Sequence, residues 1–268
     1  MFDAYKRKID YLRISVTDRC NLRCTYCMPE AGIELKNHAD ILPYEKIVSI
    51  AAVAARMGIH KIRLTGGEPL VRKNIAFLVR ELKVIPGVSE VSMTSNGTIL
   101  DLLAEELKQA GLDRLNISLD TLDAGKYRRI TRNGDIERVF SGINQALKQS
   151  FKQIKINMVL LPGFNDNEVE NMKSFCLERG LVLQRINHYS LRNLASVDSG
   201  FTAERPLPCN SCNRLRLTAD GKLTPCLFSD QEIAVDFFDM QGSFEKAVQA
   251  KPGHGVACRS RENWQIGG

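Results

Sequence analysis

The sequence predicts an α/β fold, a partial (βα)6 TIM-like barrel with a carboxy-terminal extension that carries a second cysteine group. Three observations support this. Six short β-branched and apolar runs alternate with longer helical patterns between residues 12 and 186, as in parallel sheets joined by crossover helices. Chemically unusual residues follow directly after these runs, where α/β sheets place their chemistry. Near Leu191 the alternation stops, and the second cysteine group lies beyond it.

Taken in order, the first predicted strand is Leu12–Val16. A helix over Tyr44–Met57 follows, with Ile47, Ile50, Ala51 and Ala54 on one face, Pro43 at its start and Gly58 past its end. Lys61–Thr65 is the second strand and Ile75–Val84 the next helix. The third pair is Glu90–Thr94 and Ile99–Gln109, and the fourth Arg114–Ser118 and Asp135–Gln149. The last are Lys155–Leu160, Asn167–Arg179 and Val182–Ile186. Right-handed crossovers are the rule for such units. Six of them suit an open barrel, and residues 192–208 read as a loop. The boundary near residue 195 separates a barrel (1–195) from an extension (196–268).

The 268 residues suffice for a large core, and 44% hydrophobic with 25% charged residues is ordinary for a soluble protein. A net charge of +6 suits an anionic small molecule. Lys and Arg are dispersed along the chain without the basic stripe of a nucleic-acid binder. The segment MFDAYKRKID has no apolar core of a signal peptide, and no apolar run is long enough to span a bilayer. The expected location is therefore the cytoplasm, where clustered cysteines favour metal or catalysis over disulfides. Six of the eight cysteines fall into two tight groups.

Cys20, Cys24 and Cys27 have the spacing C-x3-C-x2-C. Three thiolates on one loop can hold three corners of an iron–sulfur cubane and leave one iron open to a ligand. Zinc is the alternative, although structural zinc takes four protein ligands. Cys209, Cys212 and Cys226 form C-x2-C-x13-C, again three ligands. That group suits either a second open cluster or a zinc site completed by Cys258. Arg214 and Arg216, two apart in an extended segment, point the same way and offer a pair of guanidiniums to a polyanion. Gly66 and Gly67 permit close backbone approach to a ligand.

The segment LRISVTDRCNLRCTYCMP, with KIRLTGGEPLVR after it, resembles the radical S-adenosylmethionine superfamily. That resemblance implies a [4Fe–4S] cluster on Cys20, Cys24 and Cys27 whose open iron chelates the methionyl end of S-adenosylmethionine. Reductive cleavage then yields a 5′-deoxyadenosyl radical. Tyr26, Gly66, Gly67, Glu68, Thr94, Asn96 and Ser118 are the implied cofactor contacts. With the second cysteine group, the resemblance narrows to the GTP 3′,8-cyclase family of molybdenum cofactor biosynthesis. It implies a second [4Fe–4S] cluster on Cys209, Cys212 and Cys226 that holds the guanine. Substrate contacts are implied for Arg13, Lys61, Arg63, Lys155, Arg214 and Arg216. Arg214, Arg216 and the terminal Gly267 and Gly268 are implied to assist catalysis.

The implied lyase takes the ribose 3′ hydrogen of GTP and joins the sugar to carbon 8 of guanine. An external one-electron reductant and a downstream pyranopterin synthase are the implied partners, with no nucleic acid and no membrane, in a monomer or homodimer. Two departures stand out. The 187–209 linker is shorter than the family's, and Gln184-Arg185-Ile186-Asn187 replaces an Arg-Phe-Ile-Glu-like strand. Rival readings are a related radical enzyme acting on a peptide or another nucleotide, and a zinc- or cluster-binding interaction module. Cys176 reads as a buried apolar residue, and Asp18, Asp120 and Asp123 as loop-fixing groups.

Overall fold

In the computed structural model, which describes residues 1–191, 203, 204, 206–262 and 265, the strands form one nine-stranded sheet. Six of them are those predicted: β1 (Tyr11–Ser15), β2 (Lys61–Thr65), β3 (Glu90–Ser95), β4 (Arg114–Ser118), β5 (Gln153–Leu160) and β6 (Val182–Asn187). Each pairs in parallel with the next. The crossovers contain α1 (Tyr44–Arg56), α2 (Ile75–Lys83), α3 (Leu100–Gln109), α4 (Ala124–Thr131), α5 (Ile136–Lys148) and α6 (Val169–Glu178). The sheet does not close: β6 is one edge and β9 the other.

Strand alternation sets the two faces of this sheet. In KIRLT, Ile62 and Leu64 are fully buried and join the core shared with the helices, whereas Lys61 and Arg63 take the opposite face. In β1, Leu12 and Ile14 likewise face the core while Tyr11 and Arg13 turn inward. Helix α1 buries Ile47, Ile50, Ala51 and Ala54, the face its spacing predicts, and Gly58 past its end takes φ 95°. Helix α4 is an addition to the sequence reading. Its polar sequence hides its periodicity, and Asp123 starts it by accepting from the Lys126 N–H at 2.7 Å.

Beyond residue 208 the strand–helix alternation has ended, as expected, and three strands follow in succession without an α-helix between them. Strands β7 (Arg214–Leu217), β8 (Lys222–Thr224) and β9 (Ile233–Ala234) extend the same sheet, and α7 (Met240–Gln249) packs behind them. Strand β7 runs parallel to β1, with Tyr11 opposite Arg214 and Arg13 opposite Arg216. Strand β8 returns antiparallel to it. Arg7 fastens the chain's start to this region: it pairs with Asp3 at 2.6 Å and donates to the carbonyls of Cys209 (2.7 Å) and Pro252 (2.6 Å).

Candidate active site

The first thiol triplet occupies the loop that leaves the carboxyl end of β1. Backbone bonds from Cys27 and Met28 to the Cys24 carbonyl, both 2.9 Å, curl the loop, and the Thr25 N–H donates to Ile130. The Leu22 N–H lies 3.4 Å from Cys20 Sγ. Burial, then the charges of Asp120, Cys27 and Cys20, push the Cys24 thiol well above its usual range, and burial lifts Cys27 to about 12. A positively charged partner would favour the thiolate forms that burial and mutual repulsion disfavour. Among the described residues no three His, Cys, Asp or Glu side chains converge on one ion-sized point. A soft three-thiol donor set on one curled loop suits the corners of an iron–sulfur core.

The loop after β2 closes against this one. Gly67 N–H donates to the Thr17 carbonyl and Glu68 N–H to the Arg19 carbonyl, both at 2.8 Å. A Cβ on Gly67 would stand 2.2 Å from the Arg19 oxygen, and one on Gly66 2.7 Å from the Thr17 oxygen. The glycines thus let two backbones touch, a need additional to any approach by a ligand. The Glu68 carboxylate is buried and accepts from Ser95 Oγ (2.8 Å), the Asn96 N–H (2.6 Å) and the Leu70 N–H (3.0 Å). It therefore locks the β3 rim to the β2 rim, and Asn96 reaches on to Asn21 at 2.8 Å.

Asp120 follows β4 and accepts from the Tyr26 hydroxyl (2.7 Å) and the Val159 N–H (2.8 Å), as a loop-fixing role requires. Asp18, accepting from the Lys36 N–H, does the same nearby. Burial raises the Asp120 carboxyl to about 6. A carboxyl that holds its proton longer folded than unfolded adds stability below its unfolded value near 3.8, and loses it as pH rises through about 6. Metal-free protein should gain about 3 kcal/mol from this group on acidification across that whole window, roughly half of it between pH 7 and 5. Urea titrations of the wild type and Asp120→Asn at pH 7 and 5 check this; equal pH slopes in the two proteins would refute it.

Below the rim lies a cavity of about 450 Å³ inside the half-barrel. All six basic residues singled out from the sequence line it: Arg13, Lys61, Arg63, Lys155, Arg214 and Arg216. So do Tyr26, Cys27, Thr94 and Ser118 of the rim. Arg114 makes seven cations, against one carboxylate, Glu90, which pairs with Arg114 at 2.8 Å. Dispersion along the chain thus hides a concentrated basic interior, because parallel strands bring single residues from distant segments side by side. Tyr11, which sequence reasoning passed over, separates two of these cations; the Arg63 and Arg214 guanidiniums lie 5.8 and 5.5 Å from its ring centre. Burial and then Arg216, with smaller contributions from Arg63 and Arg214, push the Arg13 guanidinium well below its usual range. Arginine stays charged regardless. Burial and the neighbouring guanidiniums both disfavour this charge, and a bound polyanion would offset the second of these.

The second triplet lies at the opposite end of the scaffold. Cys209 and Cys212 precede β7, and antiparallel β8 carries the chain back so that Cys226 arrives at the same end. The three thiols line a second cavity of about 430 Å³, which shares Arg214, Arg216 and Leu227 with the first. Lys251, which no motif marks, is buried here with its Nζ 3.4 Å from Cys212 Sγ. Burial raises the Cys212 thiol, but Lys251 and Arg214 outweigh it and the result is lowered.

Cys258 is buried against Leu191 and Phe228, and Cys176 is buried in α6. Of the departing strand segment, Gln184 and Asn187 line the first cavity. Arg185 instead binds Glu204 at 2.6 and 3.0 Å. Gly267 and Gly268 lie outside the described residues.

Comparison with known proteins agrees with this geometry. Residues 14–176 match the family model described as the Radical SAM superfamily. A GTP 3′,8-cyclase of Moorella thermoacetica is 43% identical over 303 aligned positions, with 94% of each chain covered. One of Heliobacterium modesticaldum is 40% identical over 327 positions and covers both chains fully. Both alignments are longer than the 268 residues here, so this chain lacks residues that those relatives have. In fold, the chain is similar to Streptococcus suis SuiB bound to S-adenosylmethionine (TM-score 0.66, 18% identity, 87% of this chain) and spans 65% of that protein. It is also similar to anSMEcpe with bound AdoMet (TM-score 0.65, 15% identity, 91% of this chain and 78% of that one). With three thiols at one mouth of an open half-barrel, three at the other and this degree of likeness over its length, the chain belongs to the radical SAM superfamily and, within it, to the GTP 3′,8-cyclase family.

Proposed function

We propose that this enzyme converts GTP to (8S)-3′,8-cyclo-7,8-dihydroguanosine 5′-triphosphate, opening molybdenum cofactor biosynthesis in the cytoplasm. The observation that carries this reading is the interior cavity: seven cations and one carboxylate, reached by the first triplet from one end and sharing two arginines with the second. When bound, a cluster on Cys20, Cys24 and Cys27 with S-adenosylmethionine supplies a hydrogen-abstracting radical, given one electron from an external reductant.

The chain's own residues do the rest. Glu68 and Asn96 hold the rim on which the sulfonium cofactor rests with Gly66 and Gly67. Tyr26, fixed by Asp120, and Ser118 and Thr94 orient its adenosyl part. Arg13, Lys61, Arg63 and Lys155 receive the triphosphate from the barrel side. Arg214 and Arg216 place it relative to the base, which a second cluster on Cys209, Cys212 and Cys226 would receive. Gly267 and Gly268 are assigned, with Arg214 and Arg216, to assisting the catalytic step. Such fixation matters because a radical reacts with whatever lies nearest. The product would pass to a pyranopterin synthase, and the protein is taken to act as a monomer or homodimer without nucleic acid or membrane.

Anaerobically reconstituted protein given dithionite, S-adenosylmethionine and GTP should form 5′-deoxyadenosine and consume GTP together. If 5′-deoxyadenosine accumulates while GTP stays intact, the substrate is wrong and only the family stands. Replacing Arg216 by Ala removes a charge-assisted contact worth about 1.5–3 kcal/mol, so GTP should bind roughly ten- to a hundredfold more weakly. Calorimetry reads the affinity, and iron content should not change.

A further inference from the structure

The ammonium of Lys251 is 2% exposed and has three acceptors around it: Cys212 Sγ at 3.4 Å, the Arg214 carbonyl at 2.8 Å and the Pro225 carbonyl at 2.8 Å. An ammonium has three N–H donors, whereas a neutral amine has two. The three acceptors match the three N–H donors of a lysine ammonium. Burying that charge is costly unless an anion faces it. No carboxylate is paired with Lys251 among the described residues; the sulfur of Cys212 is the one acceptor there that can carry full negative charge. Pro225 adjoins Cys226 and Arg214 follows Cys212 by two residues, so one ammonium ties together the two segments that carry these cysteines.

The first triplet has the opposite surroundings. Cys20 Sγ meets the Leu22 N–H at 3.4 Å and the Asn96 amide at 3.9 Å, both neutral donors. The charges that bear on its thiols are the carboxylates of Glu68 and Asp120. Hydrogen bonds and charge at the sulfurs are among the factors that set cluster potentials. A cation touching a ligand sulfur favours the reduced, more negative state, and nearby carboxylates disfavour it.

We propose that Lys251 is a positioning residue of the second triplet: held by the Arg214 and Pro225 carbonyls, it donates to Cys212 and raises the reduction potential of the cluster carried by Cys209, Cys212 and Cys226 above that of the first. This rests on the reading that both triplets bind clusters. It gives the two centres separate electronic tasks. The first stays strongly reducing, as sulfonium cleavage requires, and the second takes up and holds an electron more readily.

The test uses the full chain with Cys20→Ala, Cys24→Ala and Cys27→Ala, so that only the second cluster remains, alongside the same protein carrying Lys251→Met, Lys251→Gln or Lys251→Arg. Iron and sulfide are counted after anaerobic reconstitution, and the midpoint potential is read by redox titration followed by electron paramagnetic resonance. Roughly four irons are expected in the triple variant. The Met and Gln proteins should show a more negative midpoint than the Lys protein, and Arg should restore most of the shift. Equal midpoints with full iron overturn the assignment of Lys251 and leave the clusters in place. No iron in the triple variant, against roughly four in wild type, overturns the two-cluster reading and this proposal with it. If Met and Gln both fail to load while Arg loads at the Lys midpoint, the charge at Cys212 is upheld; if Arg also fails, the proposal falls.

Discussion

Replacing Cys24 by Ala should cut iron from roughly eight to roughly four per chain and bring 5′-deoxyadenosine formation down to the uncatalysed background, a loss of on the order of 10⁶-fold or more. Cys24 is the centre of its loop: its carbonyl accepts from both Cys27 and Met28 at 2.9 Å, and its thiol is the one most burdened by the neighbouring charges. Those backbone bonds do not involve the side chain, so the variant should fold. What it loses is one of three donors, with no cysteine placed to substitute: Cys176 is buried in α6 and Cys258 against Leu191 and Phe228. GTP binding should persist, because Cys24 does not line the basic cavity and the second triplet lies at the other end of the scaffold. Iron analysis, product chromatography and calorimetry separate these effects. Cofactor cleavage at the wild-type rate in Cys24→Ala would remove the first triplet from the chemistry.

The second large effect is expected at Gly67. An added methyl would lie 2.2 Å from the Arg19 oxygen and 2.5 Å from its carbonyl carbon, backbone atoms that cannot swing aside like a side-chain tip. The loop pair would have to part, breaking the bonds from Gly67 to Thr17 and from Glu68 to Arg19. Gly67→Ala should therefore cost about 3–5 kcal/mol, in the range of the most damaging overpacking changes, and lower Tm by roughly 10 °C. Gly163, with no heavy atom within 4 Å of its Cβ position but φ 71°, is the matched control. There only left-handed strain is added, about 1–2 kcal/mol. Because residues 17–19 lead directly into Cys20, Gly67→Ala should also weaken iron retention, and Gly163→Ala should not. Similar melting temperatures for the two variants would contradict the close backbone contact.

The features legible in the sequence are those whose residues are contiguous in the chain. The first triplet and the Gly66-Gly67-Glu68 loop are short local patterns, and β2 and β4 begin and end where the alternation of KIRLT and RLNIS places them. Helix α4 was missed because AGKYRRIT buries little besides Tyr127 and Ile130. Strand β7 is four residues long and pairs with a strand some 200 positions earlier, a non-local choice that no window along the sequence can reveal. The basic cavity was half legible: each cation was recognised on its own strand, but their convergence is a property of register. Lys251 left no mark at all, since nothing about its spacing from Cys226 distinguishes it from a solvated lysine.

The pairing of β7 with β1 also bears on how the molecule is made. During synthesis the amino-terminal strand can join β2 early, but its other side must wait until residues 214–217 have left the ribosome. For most of translation that flank offers unmatched amide and carbonyl groups to any passing extended chain, the usual invitation to misassembly. Arg13 and Tyr11 stand beside that flank, so a growing polypeptide carries a charged, aromatic border there until its own late segment arrives to seal the seam.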